Sequence, residues 1–124
     1  MLNEQNATAT IAVKDFDRAR KFYEDVLGLK PDGNGQPGVQ TYRSGGSRVL
    51  VYQSSFAGTN KATAATWEVG DVTREVRALK DKGVAFEHYD MPEMKLEGDV
   101  HVMGDFKAAW FKDPDGNILA IVGS

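Results

Sequence analysis

Cysteine is absent from this chain. That removes a disulfide framework, a thiolate metal site and a cysteine nucleophile together. Histidine is scarce, with only His88 and His101. No apolar run approaches the roughly 18 to 20 residues of a membrane span, and Met1-Leu2-Asn3-Glu4-Gln5-Asn6 lacks the basic head and apolar stretch of a secretory signal. A cytoplasmic protein with no membrane partner is the expectation. Positive charge is not in excess either: 15 Lys and Arg stand against 18 Asp and Glu, a net charge of −3. Nucleic-acid binders need a basic face to displace counterions, so nucleic acid is not an expected partner. There is no Gly-x-Ser-x-Gly elbow. Gly33, Gly35 and Gly38 lack the following helix and the Lys-Ser/Thr pair of a phosphate loop.

What the 124 residues do contain is ordinary globular material, 41% hydrophobic and 27% charged, enough for one domain spanning 1–124 with a real core. Residues 7–13 alternate as a strand, with Ile11 and Val13 on one face and Thr8, Thr10 and Ala12 on the other. Asp15 follows as a helix N-cap. Phe16, Ala19, Phe22, Tyr23, Val26 and Leu27 then form a helical stripe that stops at Gly28. Residues 39–43 and 48–53 read as a hairpin turned at Gly45-Gly46. After a small, polar linker over 54–63 the pattern begins again. Residues 64–69 alternate, Asp71 caps a helix running to about Gly83, and strands are expected at 84–88, 100–103, 108–111 and 118–122, the last after the turn Asp113-Pro114-Asp115-Gly116-Asn117. An offset of 56 residues places Thr10 on Thr66, Val13 on Val69, Asp15 on Asp71 and Arg18 on Arg74. The chain therefore reads as an α+β protein of two βαβββ modules, about 7–53 and 64–122, whose sheets curve into a cup.

Two stretches carry a family resemblance. One is Val13-Lys14-Asp15-Phe16-Asp17-Arg18-Ala19 with Phe22-Tyr23 and Val26-Leu27-Gly28-Leu29; the other is Ala109-Trp110-Phe111-Lys112-Asp113-Pro114-Asp115-Gly116-Asn117. Together they resemble the vicinal oxygen chelate superfamily, which includes glyoxalase I, bleomycin-resistance proteins and extradiol dioxygenases. The resemblance implies paired βαβββ modules, a homodimer, and in the family's enzymes a divalent metal held by His, Gln or Glu. The matching positions here are Thr8, Val51, Ala64 and Ala120. Three lack a donor atom, and a threonine hydroxyl is a poor ligand for zinc, nickel or iron. No metal and no cofactor are expected.

The expected ligand-binding residues are Thr8, Thr10, Val51, Gln53, Ala64, Thr66, Glu68, Trp110 and Ala120. Glu68 shares a strand face with Ala64 and Thr66, a setting that suits a general acid or base. His101 is the other catalytic candidate, with Asp99 two residues away to orient its ring. His88 reads as a solvated strand-end residue. Three functions are compatible with this set. The first is a metal-independent protein that binds a small molecule in the cup. The second is a lyase or oxidoreductase-like enzyme with relocated residues, acting on a small carbonyl or hydroxylated substrate. The third is an interaction protein whose cup is filled by side chains such as Trp110 and Met103.

Overall fold

The computed structural model describes residues 1–124. After a short 3₁₀ turn at Leu2–Glu4, the first module consists of β1 (Ala9–Val13), α1 (Phe16–Lys21), β2 (Lys30–Pro31), β3 (Val39–Ser44) and β4 (Ser47–Gln53). The second consists of β5 (Thr63–Val69), α2 (Val72–Asp81), β6 (Phe86–Glu87), β7 (Lys95–Glu97), β8 (Val100–Met103), β9 (Phe106–Lys112) and β10 (Ile118–Gly123). The strand order is β1-β4-β3-β2 in one sheet and β5-β10-β9-β8-β7 in the other, with β6 on the end of β9. In each module the first strand pairs in parallel with the last, β1 with β4 and β5 with β10. The helix is the crossover that parallel pairing requires. The first strands β1 and β5 lie side by side where the two sheets meet.

Both helices start alike. The carboxylates of Asp15 and Asp71 accept from the backbone N–H of Arg18 and Arg74, each at 3.1 Å. Each cap satisfies one of the free N–H groups of its first turn. Helices and sheets share one apolar core in which Ile11, Val13 and Val51 of the first module meet Val72, Val76, Phe111, Leu119 and Ile121 of the second. The strands that contribute to this core thus have a helix-covered face and an open face.

The expected first helix is α-helical only to Lys21; Phe22–Val26 forms a wider π-type turn. The reason lies in three consecutive side chains that all find partners. Phe22 packs edge-on to the Tyr23 ring and tilted on Phe111. The Tyr23 hydroxyl donates to Asp113 Oδ2 at 2.7 Å, and Glu24 Oε2 accepts from the Tyr42 hydroxyl at 2.8 Å. The segment 89–105 holds two strands rather than one. Its first, β7, is exposed throughout, so it carries no apolar alternation to be read. Strand 84–88 shrinks to the two residues of β6, which pair only with the end of β9. The linker is not a free connection. Ala57 is buried, and a Cβ added at Gly58 (φ +73°) would stand 2.1 Å from the Asp115 carbonyl oxygen, so only glycine fits there.

Candidate functional site

The open face is defined by strand register. In the first module, Thr10 pairs with Leu50 and Leu50 with Thr41, while Ala12 pairs with Tyr52 and Tyr52 with Val39. In the second, one row runs Glu68, Val122, Ala108, His101 and Leu96, and the next runs Thr66, Ala120, Trp110 and Glu87. Thr8 is exposed just before β1, the Thr10 hydroxyl donates to the Thr8 carbonyl at 3.2 Å, and Ala64 is half-buried.

Two expected cup residues are corrected. Val51 pairs with Ile11 and is 0% exposed in the apolar core, on the helix-covered face. The open-face position that answers to Ala120 is Leu50, one residue earlier, since Leu50 pairs with Thr10 as Ala120 pairs with Thr66. Gln53 also leaves the cup: its amide donates to the Lys14 carbonyl at 3.2 Å, closing the end of the strand. With the register taken into account, the positions that the resemblance assigns to metal ligands are Thr8, Leu50, Ala64 and Ala120. One hydroxyl and three hydrocarbon side chains do not fit a divalent transition metal, which needs nitrogen, sulfur or carboxylate donors.

Aromatic side chains stand beside one of these positions, Ala120. Trp110 lies beside Ala120 in the sheet and its indole N–H donates to the Thr63 hydroxyl at 3.2 Å. His101 meets the Trp110 ring at 4.9 Å and 85°, and Tyr89 meets Trp110 at 5.6 Å and His101 at 6.3 Å. Burial raises the pKa of the Tyr89 phenol, with the Glu87 charge adding to it. Beside Trp110, Glu87 is paired with Lys112 at 3.4 Å. Tyr52, Leu96, Met103 and Phe106 extend this surface, each more than a third exposed. Met103 is on the open face but does not fill it.

Glu68 is exposed at the rim, in a shallow depression with Ser47, Thr66 and Val122. It and His101 share a row but are three strand spacings apart, about 14 Å. They do not form an acid–base pair. Asp99 does not orient His101 either. It accepts from Lys80 and lies 2.7 Å from His88 Nε2, and these two groups hold its carboxyl below the usual range.

The turn Asp113–Asn117 is structural. Asp113 Oδ1 accepts from the backbone N–H of Asp115 and Asn117, each at 2.9 Å, and Oδ2 accepts from Tyr23 and from the Asn117 amide. The same amide donates to the Ala12 carbonyl at 2.7 Å, tying the turn to the first module. Burial and the neighbouring Asp113 charge push the Tyr23 phenol far above its ordinary pKa.

Sequence reasoning missed Tyr89, Leu96 and Phe106. Tyr89 stands outside any strand, and Leu96 and Phe106 gain an open-face position only through pairing with β8.

Two modules that each pair a first strand with the last across a helix, with an open sheet face, define a class. The chain belongs to the Glyoxalase/Bleomycin resistance protein/Dioxygenase superfamily, whose model matches residues 6–121. No curated protein matches it. Among solved structures, a member of that superfamily from Sphaerobacter thermophilus DSM 20745 is 23% identical with a TM-score of 0.68, covering 96% of both chains. Lactoylglutathione lyase from Agrobacterium tumefaciens is 15% identical, TM-score 0.71, covering 94% of this chain and 91% of the other. TnmS3, an antibiotic binding protein from Streptomyces sp. CB03234, is 20% identical, TM-score 0.65, covering 94% and 93%. At these identities the structures share the fold. No helix of the chain is long and apolar enough to cross a membrane.

Proposed function

We propose that this protein binds an apolar small molecule on its open face without a metal, and does so as a homodimer. The observation that carries the reading is the hydrocarbon side chains of Leu50, Ala64 and Ala120 at the donor positions, with Trp110 beside Ala120 and Tyr89 packed on Trp110. Such a surface gains affinity by burying ligand area, and a few polar groups fix the orientation. The antibiotic-binding TnmS3 shares this fold, which supports sequestration over turnover. The lyase neighbour supports the enzymatic alternative, but Glu68 and His101 do not converge on one point. The dimer reading rests on the exposed Tyr52, Leu96, Met103 and Phe106, apolar area that a second copy would cover. Sedimentation at tens of micromolar should give twice the chain mass. 1-Naphthol should quench tryptophan fluorescence saturably, equally with and without EDTA. A monomer would overturn the dimer, and binding abolished by EDTA would overturn metal independence.

A further inference from the structure

His101 is 1% exposed although it stands on the open face. The Trp110 indole and the Tyr89 ring pack against it. Its Nε2 faces the backbone of Tyr89, 3.0 Å from the amide nitrogen and 3.1 Å from the carbonyl oxygen. With Nε2 accepting from the amide N–H, the proton of the neutral ring sits on Nδ1. That Nδ1 is buried with no hydrogen-bond partner, and so is the Tyr89 hydroxyl. Two unmet groups on adjoining, stacked rings are uncommon, because buried polar groups are nearly always paired.

The Trp110 ring against them is lightly fixed. Trp110 is half-buried, and its one hydrogen bond goes to the hydroxyl of an exposed residue, Thr63. The geometry points to a gated pocket beneath Trp110: with the indole swung aside, His101 Nδ1–H and the Tyr89 hydroxyl donate to the carbonyl oxygen of a neutral, planar aromatic ligand. The ligand's ring takes the place of the indole against His101 and Tyr89. A neutral carbonyl fits better than a carboxylate because a charge buried there would meet two neutral donors and no counter-ion. This inference deepens the metal-independent binding reading and rests on it.

The test uses two probes of matched shape, 2-acetonaphthone and 2-ethylnaphthalene, titrated calorimetrically into the intact protein. The ketone should bind about tenfold tighter than the hydrocarbon. His101→Phe should abolish that preference while leaving hydrocarbon binding in place, and Thr63→Val, which frees the indole, should tighten ketone binding a few-fold. Equal affinity for the two probes in the wild type, or a preference that survives in His101→Phe, overturns the gated pocket and leaves the broader binding reading standing. Failure of both probes to bind overturns both. A readout independent of any variant is the ¹⁵N spectrum of the His101 ring. It should show a protonated Nδ1 that shifts with the ketone and not with the hydrocarbon; a ring protonated on Nε2 overturns the assignment.

Discussion

The two modules share a plan and differ in what they do with their open faces. Capping aspartates, crossover helices and parallel pairing of first with last strand repeat almost unchanged. On the open face of the first module Thr8 and Thr10 are exposed and Leu50 is half-buried. On that of the second, Ala108, Ala120 and His101 are buried beneath their own aromatic neighbours. The last hairpins differ in the same sense. The first module turns through Gly45-Gly46 in the shortest way, while the second spends Asp113–Asn117 on a hydrogen-bonded turn that reaches across to Tyr23 and Ala12. Repetition thus preserves what makes each module fold. The differences fall where the modules are joined and where a ligand would sit.

The joint should be the costliest thing to break. Asp113→Ala removes the acceptor for Tyr23, Asn117 and two backbone N–H groups, and denaturant titration should show a loss on the order of 3 kcal/mol in one cooperative transition. Alkaline pH tests the same contact. The folded pKa of Tyr23 lies above its ordinary 10, so its contribution is intact below that pH and lost as pH rises beyond it. Tyr23→Phe should flatten that part of the stability profile.

Face assignment is tested next. Val51→Ala should cost on the order of 2 kcal/mol because Val51 is wholly buried. Leu50→Ala, one residue away and half-buried on the open face, should cost clearly less and instead weaken 1-naphthol binding. Equal stability losses at the two sites would contradict the register. Smaller still, Asp15→Ala and Asp71→Ala should each cost about 1 kcal/mol; a large inequality would show that the two modules do not share the same capping. Least of all, Glu68→Gln at the exposed rim should change stability by under about 0.5 kcal/mol. Its effect on probe affinity should stay below roughly tenfold.

Much of this fold is legible because its signals are local. Asp15 and Asp71 announce caps, alternation over 7–13 and 64–69 announces first strands, and the turn before β10 follows from its Asp, Pro, Gly and Asn. The site is less legible because it depends on register. A hydrophobic valine at 51 and a hydrophobic leucine at 50 look alike in sequence, and only pairing with Ile11 and Thr10 tells which face each takes. Strand parity puts His101 on one face with Asp99, but the strand starts at Val100, so parity does not reach Asp99. The burial of His101 under Trp110 and Tyr89 comes from segments 9 and 12 residues away, which sequence spacing does not reveal.

The central claim is that the open face works without a metal, and thermal unfolding with added Zn, Ni, Mn or Fe tests it most directly. A metal held only by the native state at a hundred times its dissociation constant stabilises by about 2.7 kcal/mol, which for a chain of this length raises Tm by several degrees. No such rise is expected with any of the four ions, and no stoichiometric metal in the purified protein. A rise of several degrees with one ion, abolished by Thr8→Val, would contradict that claim.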